Sequence, residues 1–545
     1  MKCSKLFPVL FFLWGYLNLS FTQPNIYWSK VYDGGSFDDT RFMVKDSQGN
    51  YIVTGTSVVS DPGYTNYGVL TIKYDSLGNQ KWLKIKDNPN NAMDDATGLL
   101  VDDSNDVYVS GTFGGTFFLV KYDNSGNEKW FKQFNAYFSD YTVLNKHICL
   151  DDDENIYFST VTLNAGQRHS AIRKYSSQGE LIWLKEFTDL GSTHNEPINI
   201  VYDGAAFFYL TGYTTVTDSN INYYITKFDK NGTTIWEKDY GTDSASTNQP
   251  RKIIIGYNSD LYLLGRRYTL EHDWDIDIFR LDTAGNKIWE TVINGDCNWE
   301  DNAWDIIIDN AQNIYATGSR MKYIPPSLCI NKFYTVKMDE TGNFIWERVL
   351  EDSLNYDGIG LNLNLDDRNN LYVTGVLSAL TSEIRYNLEI VKYDPLGTLL
   401  WSIKKNFYGG TEWPAATILN SDDDFTVFVT SGGMVMESNY ITIRYSNNPL
   451  SVDQNYNVHQ FVLNQNYPNP FNPVTTISYS IPTELYVTLK VYDILGNEIK
   501  TLVDNKQSPG NYNVVFDGSN LSSGIYFYKI SAGNYSRIKK MILLK

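Results

Sequence analysis

Short runs rich in Val, Ile, Thr and Tyr follow one another along most of this chain, and each run is bounded by Asp, Asn or Gly. The run YIVTG ends at Gly55, VLTIKY ends just before Asp75, and QKWLKIK begins just after the turn that contains Gly78. Runs of this length and composition, entered and left through turn residues, are typical of β-strands. The pattern therefore predicts a succession of strands joined by tight hairpins.

One ten-residue phrase returns at regular intervals and contains both a turn and a strand. It reads KYDSLGNQKW at Lys73–Trp82, and the distance from Asp75 to Trp82 is seven residues, as in the other full copies. Asp followed three residues later by Gly suits a type I turn closed by a left-handed Gly bulge. The spacing predicts a fixed hairpin with the tryptophan on its second strand. The other copies end at Trp130, Trp183, Trp236, Trp289, Trp346 and Trp401.

A second phrase lies about twenty residues after each tryptophan, as expected for the turn and strand spacing of a repeat. It reads KDSQGNYIVTG up to Gly55 and LDDRNNLYVTG up to Gly375, with nine residues from Asp to Gly. This phrase also predicts a hairpin. Including degraded copies, the sequence contains eight of them. They begin at Asp46, Asp102, Asp151, Asp203, Gly256, Asp309, Asp366 and Asn420.

Each repeat thus predicts four short antiparallel strands within 48 to 57 residues, counted from Trp28 onward. Four strands per repeat is the pattern of a β-propeller blade. We therefore predict an all-β protein with an eight-bladed β-propeller over residues 26–446, with seven blades as the alternative. The region begins on a tryptophan strand and ends on ITIRYS at 441–446, so the two ends are expected to complete one blade. The tryptophans are expected to pack between neighbouring blades.

Composition supports the all-β prediction and argues against one class of binding partner. Aromatic residues make up 15% of the 545 residues, with 41 Tyr and 39 Gly, which suits pleated surfaces and tight turns. The net charge of −18 argues against nucleic acid as a partner. Cys149, Cys297 and Cys329 are far apart, and we interpret them as buried thiols.

The first residues have the pattern of a secretory signal. Lys2 and Lys5 precede an apolar stretch from Leu6 to Leu19, and small and polar residues follow. This order predicts a signal peptide over residues 1–22 with cleavage near Thr22, and hence export.

Residues 26–446 resemble the bacterial β-propeller repeat (SBBP-like) families, whose units carry phrases similar to VDDSNDVYVSG at residues 101–111. The resemblance implies a propeller fold and an extracellular setting, without a common activity. The opening phrase also has a partial likeness to the tryptophan-docking repeat of quinoprotein dehydrogenases. Those enzymes place an adjacent Cys-Cys pair over the quinone, and this sequence has no such pair.

The tail differs in composition from the repeats. A polar linker over 447–460 is followed at 461–545 by about seven apolar runs punctuated by Gly, Pro and Asn, which predicts a small immunoglobulin-like sandwich. Its phrases NYPNPFNP, VYDILGNEI, LSSGIYFYKI and KKMILLK resemble the type A C-terminal sorting domain of the type IX secretion system, found in the Bacteroidetes and related phyla. The matching residues that we assign to the sorting signal are Asn466, Tyr467, Pro468, Asn469, Pro470, Gly524, Tyr526, Lys539 and Lys540.

This resemblance implies partners and a destination. Such domains are recognised by the type IX translocon and are commonly removed by a sorting peptidase that joins the cargo to surface lipopolysaccharide. We therefore expect a protein that is secreted across the outer membrane and is extracellular or attached to the cell surface. Cleavage is expected between Ser446 and Phe461. The alternative interpretation is a carbohydrate-binding or spacer sandwich.

Motifs of enzymatic chemistry are missing from the sequence. It contains no GxSxG, HExxH, Walker loop or paired-Cys motif. We therefore expect a binding or interaction protein, with an extracellular glycan or protein as its unidentified ligand. The alternative is a secreted hydrolase or lyase with its active site on the propeller face. No cofactor is predicted, although the acidic turns at 102–106, 151–155 and 273–277 suggest calcium as an alternative to local backbone bonding.

One set of polar residues is a candidate ligand site. Each member lies eight residues before the first residue of a copy of the second phrase, where the chain enters the strand that we expect to be innermost. The side chains either bond to the backbone of their own turns or form a ring at the mouth of the central channel. Such a ring would bind a cation or a cationic group. Its members are Asp38, Asp94, Asn195, Asn248, Asp301 and Glu412, with Trp304 and Trp413 nearby.

Overall fold

A computed structural model of the chain divides into two compact units, Met1–Asn447 and Asn448–Lys545. The predicted signal peptide and nearly all of the predicted linker lie outside the described residues. The structure describes residues 23–34, 37–61, 64–88, 94–114, 116–135, 147–164, 167–187, 194–217, 220–241, 247–269, 273–297, 299–325, 328–350, 356–379, 386–407, 410–432, 438–447, 462–463, 466, 469–481, 485–507, 510–533 and 535–544.

The described part of the first unit consists of strands and turns, which confirms the all-β prediction. The strands are β1 Asn25–Tyr32, β2 Asp38–Lys45, β3 Tyr51–Asp61, β4 Tyr64–Tyr74, β5 Gln80–Lys86, β6 Ala96–Val101, β7 Val107–Phe113, β8 Thr116–Tyr122, β9 Glu128–Phe134, β10 Ile148–Leu150, β11 Ile156–Asn164, β12 Gln167–Tyr175, β13 Leu181–Phe187, β14 His194–Tyr202, β15 Phe207–Thr217 and β16 Asn220–Asp229. They continue as β17 Thr234–Tyr240, β18 Thr247–Ile255, β19 Leu261–Thr269, β20 Asp273–Leu281, β21 Lys287–Ile293, β22 Asn302–Ile308, β23 Ile314–Ile324, β24 Leu328–Met338, β25 Phe344–Val349, β26 Tyr356–Leu365, β27 Leu371–Ala379, β28 Tyr386–Tyr393, β29 Leu399–Lys405, β30 Thr411–Ser421, β31 Asp424–Gly432 and β32 Ser438–Ser446.

These strands pair in antiparallel groups of four, taken in chain order from β2. Among the described residues there are eight such groups, and single parallel bridges at Arg168–His194 and Ile221–Thr247 link three of them. The last group has the order β30, β31, β32, β1, because β1 pairs with β32 from Asn25–Ser446 to Tyr32–Tyr440. Both ends of the repeat region therefore complete one sheet, as the sequence predicts.

The first strand of each sheet lies innermost. β2 contacts β6, and the contacts continue through β10, β14, β18, β22 and β26 to β30, which contacts β2 again. The sheets are thus arranged in a closed ring around the first strands, as in a β-propeller. The architecture is a β-propeller fold, as predicted.

The two repeated phrases form the predicted turns. In the first phrase, Gly78 N–H donates to Asp75 O over 2.9 Å and Gly78 has φ +80°, a backbone conformation that favours glycine. In the second phrase, Gly49 N–H donates to Asp46 O over 3.0 Å. Both turns connect strands at the same end of a sheet. The connections of variable length therefore share the opposite end.

Every outer-strand tryptophan except Trp401 packs on the glycine turn of the next sheet. Trp82 is 7% exposed, and its Nε1 donates to Asn124 O over 3.1 Å. A Cβ on Gly126 would lie 2.7 Å from Trp82 Cγ, so the ring needs a glycine beneath it. The closing sheet keeps this contact, since Trp28 on β1 donates to Ser76 O. The further pairs are Trp130 with Ser177, Trp236 with Thr283, Trp289 with Glu340, and Trp346 with Pro395.

A buried ion pair joins the two phrases within a sheet. Lys73, which precedes the Tyr-Asp of the first phrase, lies 2.8 Å from Asp46 of the second, and both side chains are 0% exposed. Lys121 makes the same contact with Asp102 over 3.0 Å. Buried charges are tolerated when they are paired and bonded, and Asp46 also accepts from the Gln48 and Asn50 N–H groups.

The prediction of three buried thiols is wrong for two of them. Cys297 and Cys329 form a disulfide with Cα atoms 6.4 Å apart, whereas Cys149 is free and buried as predicted. The partners are 32 residues apart in sequence, and the folding of β23 and β24 into a long hairpin brings Cys329 beside the connection that contains Cys297. Spacing alone gave no sign of this contact.

The second unit is a small two-sheet sandwich around its own core. Its described sheets have the orders β33, β34, β37 and β36, β35, β38, β39, and both contribute to a core that includes Ile477, Leu489, Tyr528 and Met541. No helix of the described residues is long and apolar enough to cross a membrane. The strands are β33 Val462–Leu463, β34 Val474–Ile481, β35 Leu485–Tyr492, β36 Glu498–Gln507, β37 Gly510–Asp517, β38 Gly524–Ala532 and β39 Tyr535–Leu543.

Replacing Trp82 by Ala is expected to lower the free energy of unfolding by about 3–5 kcal/mol, because the change removes a buried ring and leaves a cavity between two sheets. Trp299, which is 61% exposed, is the matched control, and its replacement by Ala should cost less than about 0.5 kcal/mol. Urea denaturation followed by tyrosine and tryptophan fluorescence measures both. Equal effects of the two changes would contradict the packing role of Trp82.

Candidate functional site

The innermost strands share a β-bulge close to their first residues. In β2 the pairing with β3 shifts between Thr40 and Phe42, which makes Arg41 the extra residue. Gly55 on β3 faces this bulge, and a Cβ there would lie 2.2 Å from Asp39 O. Bulges redirect a side chain out of the regular alternation. The bulged residues are Arg41, Thr97, Ile198, Arg251, Trp304, Leu361 and Ala415.

Four of the bulged residues, Arg41, Trp304, Leu361 and Ala415, line a cavity in the central channel together with some of their neighbours. Its volume is about 480 Å³, and its lining comes from β2, β18, β22, β26 and β30, which are the first strands of five sheets. The lining positions lie at the bulges of these strands or within two residues of them. We call this cavity the channel-mouth cavity. It is lined by Asp39, Thr40, Arg41, Phe42, Lys252, Trp304, Asp305, Leu361, Asn362, Trp413, Pro414 and Ala415.

Aromatic rings form one side of the channel-mouth cavity. Trp304 and Trp413 lie edge to face with centroids 6.5 Å apart, and Tyr386 lies 6.2 Å from Trp413. The Tyr386 hydroxyl donates to Asp357 over 2.8 Å, which fixes that ring. Trp304 Nε1 is buried and has no hydrogen-bond partner among the described residues. The cavity therefore offers aromatic surface, and an indole donor without a described partner is buried in its wall.

The charges in the channel-mouth cavity are paired. Arg41 lies 2.9 Å from Asp39 and 3.6 Å from Asp95, and Lys252 lies 2.5 Å from Asp305. Burial raises the pKa of Asp39, and the Arg41 guanidinium opposes that rise. The two cations and two carboxylates of the lining have no net charge together. Their polar atoms are held in place by these pairs.

The six residues predicted as a ring are buried where the inner strands begin. Asp94 and Asp301 lie just before β6 and β22, and the other four lie on the first or second residue of their strands. Asp94 accepts from Asn88 N–H over 2.9 Å and from Gly114 N–H over 2.8 Å. Asp301 accepts from Gly295 and Met321 N–H in the same way. The remaining bonds are from Gly34 N–H to Asp38, from Phe407 N–H to Glu412, from Thr214 Oγ1 to Asn195, and from Asn248 Nδ2 to Ile221 O.

None of these six residues lines the channel-mouth cavity, although their chain neighbours Asp39 and Trp413 do. Adjacent residues of a strand point to opposite faces. Asp38 and Glu412 therefore point away from the cavity that their neighbours Asp39 and Trp413 line. The backbone N–H bonds to Asp38, Asp94, Asp301 and Glu412 fit the local alternative that the sequence left open, whereas Asn195 and Asn248 have other partners. A ligand role for the ring stays a prediction.

Burial raises the pKa of two of these carboxyls despite the backbone N–H groups that they accept. The pKa of Asp94 is raised to about 6 and that of Asp301 to about 7, and desolvation is the largest cause in both. The two N–H bonds at each site favour the charged form but do not offset the burial.

The acidic turns that suggested calcium hold internal partners. Asp102 accepts from Ser104 and Asp106 N–H, and the Lys121 ammonium lies 3.0 Å from its carboxylate. In the part of the chain that the structure describes, no group of three or more His, Cys, Asp or Glu is arranged to hold a metal ion. Calcium binding has no part in the function that we propose.

The residues assigned to the sorting signal are mainly structural where they are described. Asn466 is buried, its N–H donates to Tyr528 Oη over 2.8 Å, and Asn469 accepts from Ile542 N–H over 2.8 Å. Tyr526 donates to Ser522 O, Gly524 begins β38, and Lys539 and Lys540 lie on β39. Pro470 is described beside Asn469, whereas Tyr467 and Pro468 lie outside the described residues.

The comparison with protein families agrees with the interpretation of the tail. Residues 465–544 match the model of the secretion system C-terminal sorting domain. This domain indicates export through the type IX secretion system to the cell surface or the extracellular space. It also implies interaction with the type IX machinery. No curated protein matches the chain.

Solved structures resemble the chain only at a distance. Polysaccharide lyase Uly1 is 9% identical, with 78% of this chain and 100% of that chain covered and a TM-score of 0.41. Prolyl oligopeptidase B from Galerina marginata is 10% identical, with 72% and 55% covered and a TM-score of 0.40. The WD40 domain of SCAP from fission yeast is 11% identical, with 77% and 98% covered and a TM-score of 0.36. Likenesses at this level do not define a function.

Raising the pH from about 4.5 to about 7.5 is expected to lower the free energy of unfolding, because the folded protein holds protons at Asp94 and Asp301 that the unfolded chain has already released. The loss should be at least about 1.4 kcal/mol for each carboxyl whose pKa is raised by more than one unit. Urea titrations across this range measure it.

Asp301→Asn should remove part of this pH dependence, since an amide does not titrate there. Asp339→Asn is the control, because Asp339 is an exposed turn residue whose pKa is lowered by the Thr341 hydroxyl and the Asn343 N–H, so it titrates below this range. Stability that stays constant or rises from acid to neutral pH in the parent protein would contradict the raised pKa values.

Proposed function

We propose that this protein is an extracellular binding protein that holds a short saccharide segment in the channel-mouth cavity. The observation that carries the proposal is the unpartnered Trp304 indole N–H, which lies beside Trp413 in a concave pocket of about 480 Å³. Binding sites of this size combine apolar walls with a few fixed polar groups. Because a buried donor without a partner is costly, a ligand acceptor in the cavity would satisfy it.

The chemistry of the lining favours a polyhydroxylated ligand. Trp304 and Trp413 supply flat apolar surface for the carbon faces of a sugar ring, while Asp39, Asp305 and Asn362 supply acceptors for hydroxyl groups. Arg41 and Lys252 supply donors and are already neutralised by their partners. Hydroxyl groups can donate and accept at the same site, so they match this mixture of donors and acceptors better than an apolar ligand does.

The shape of the site favours a small segment over a folded protein partner. Its residues lie inside the ring of first strands, and a specific protein interface needs roughly 800 Å² on each side. A chain end or a short stretch of a glycan can enter a channel of this width. Because the polar groups come from five different sheets, the rigid ring holds them in position before binding.

The second unit has a different task in this proposal. It carries the propeller to the type IX translocon, and a sorting peptidase then separates the units within the 447–460 linker and joins the propeller to surface lipopolysaccharide. The propeller would then hold its ligand at the cell surface. The proposal thus includes attachment of the propeller to the cell surface, and not its release into the medium. The size and location of the exported protein test this part.

Trp304→Phe and Trp413→Ala are expected to weaken oligosaccharide binding by roughly 10-fold or more each, the first by removing the indole donor and the second by removing aromatic surface. A glycan array with the full-length secreted protein identifies a ligand, and calorimetry measures the change. Tyr257→Ala, at an exposed turn on the opposite end of the ring, should bind like the parent. A parent protein that binds no glycan, or variants that bind equally well, would contradict the proposal, and shortened glycan products would indicate the hydrolase or lyase alternative.

Removing residues 466–545 is expected to retain the propeller inside a type IX-competent host, because the matched sorting domain is lost. Fusing residues 447–545 to a periplasmic reporter should bring the reporter to the surface, where protease accessibility on intact cells detects it. A host without the translocon is the control for leakage. Surface display of the truncated protein would contradict the role of the second unit.

A further inference from the structure

A second cavity lies behind the tryptophan wall of the channel-mouth cavity. Its volume is about 230 Å³, and its lining includes Tyr213, Gln249, Arg251 and Arg266. The Arg251 guanidinium stacks on Trp304, with 4.9 Å from its central carbon to the ring centroid. Because Arg251 lines the second cavity and Trp304 lines the first, this stacked pair separates them. We call the second cavity the arginine pocket.

Arg251 has no anionic partner among the described residues. It is the bulged residue of β18, its Nε is buried without a hydrogen-bond partner, and no described carboxylate lies within ion-pair distance of it. Burial and the positive charge of Arg266 lower the pKa of Arg251 to about 10. The guanidinium is charged at neutral pH nonetheless, so a buried positive charge faces the pocket.

Arg266 is held by neutral groups. Its Nε and one terminal nitrogen donate to Gln249 Oε1 over 3.0 and 2.8 Å, and the other terminal nitrogen donates to Asn302 Oδ1 over 2.8 Å. Its aromatic partner is Trp274, with 4.2 Å to the ring centroid. These contacts fix the side chain without neutralising it.

The carboxylates closest to the pocket do not balance the two arginines. Glu300 reaches only 4.0 Å from Arg266 and is 55% exposed, where water screens its charge. Glu196 is buried, but Arg168 lies 2.6 Å from one of its oxygens and Tyr213 donates to the other. Glu300 is therefore the counter-charge that acts on both arginines, and it is weakened by its exposure to water. Two guanidinium groups line this one small cavity, although the whole chain carries −18.

We propose that the arginine pocket binds an oxyanion, either a carboxylate or a sulfate, that belongs to the ligand of the channel-mouth cavity. Guanidinium groups bind such anions through pairs of parallel hydrogen bonds. An anion in the pocket would offset the cost of two half-buried cations whose nearest counter-charge, Glu300, is exposed to water. The stacked Trp304 then contacts a sugar ring on one side while Arg251 on its other side contacts the anionic substituent.

This inference rests on the proposed function and makes it more specific. The charges of the channel-mouth cavity are paired, so they favour a ligand segment that is neutral. In this proposal Arg251 and Arg266 are the residues that select an acidic or sulfated glycan. A neutral glycan would fill the first cavity and leave the second without its anion. The protein is therefore expected to prefer glycans that carry a carboxylate or sulfate next to the segment bound by Trp304.

The first experiment tests the pocket with inorganic sulfate alone, in the full-length secreted protein. At constant ionic strength, replacing chloride by millimolar sulfate should raise the melting temperature of the parent to a plateau. Arg251→Met keeps a side chain of similar length without charge, and it should abolish the plateau. Because Arg251→Met removes a charge that has no close counter-charge, the variant should also have a higher melting temperature than the parent in sulfate-free buffer. If Arg251 were only structural, the variant would have a lower melting temperature.

Arg368→Met is the matched control, since Arg368 is exposed on a turn at the opposite end of the ring and should leave the sulfate response unchanged. Should Arg251→Met fail to fold, Arg251→Lys keeps the charge but loses the two-pronged geometry, and its plateau should need at least about 10-fold more sulfate. A parent without a sulfate plateau, or the same plateau in the parent and the Arg251 variant, overturns the proposal.

The second experiment separates this proposal from the proposed function. Glucuronate should bind the parent at least about 10-fold more tightly than glucose does, and Arg251→Met should remove that preference. Binding of both sugars with equal affinity overturns the anion preference and leaves the saccharide function standing. A sulfate plateau that depends on Arg251, without binding of any sugar, leaves the oxyanion site standing and overturns its link to a glycan.

Discussion

The packing of an outer-strand tryptophan on the glycine turn of the next sheet fixes the spacing of the ring. The tryptophan and the turn belong to the same ten-residue phrase, so each repeat supplies a side chain to the next repeat and a docking turn to the previous one. A repeat by itself would leave a large aromatic face in water, and only neighbours on both sides bury it. The closing contact of Trp28 with the turn of the first sheet completes this series.

The last sheet shows what happens where the phrase is incomplete. Its outer strand β1 comes from the other end of the chain, so β32 is not followed by an Asp-x-x-Gly turn. Trp401 of the preceding sheet donates instead to the Asp423 carboxylate, 3.2 Å away in the turn between β30 and β31. Lys392 lies 2.9 Å from the same carboxylate. A charged acceptor thus replaces the backbone carbonyl where the regular turn is missing.

The sequence predicted the repeats well because they depend on local geometry. Asp75 and Gly78 specify a turn by their own backbone preferences, and the tryptophan follows at a fixed distance. The predicted ring missed the cavity wall by one position at Asp38 and Glu412, by three at Asp301 and by four at Asn248. The wall lies at the bulges, and the bulges were not recognised from the sequence. Gly55 and its equivalents in the other repeats indicated the bulge, because a glycine inside a strand marks a bulge or the close approach of another backbone segment. The disulfide and the buried Lys73 depend on tertiary contacts, which no local spacing encodes.

The bulge also explains how one scaffold can carry a specific site. The glycine opposite the bulge is needed at nearly every sheet for steric reasons, whereas the bulged side chain is free of that requirement and at four sheets lines the central cavity. The seven described bulged residues accordingly include two arginines, a tryptophan, a threonine and three aliphatic residues. Because the Debye length is about 8 Å at physiological ionic strength, the acidic exterior repels an anionic ligand only at short range. In the site that we propose, contact with Arg251 and Arg266 would outweigh that repulsion, so that the local arrangement of the side chains, and not the net charge, would decide what binds.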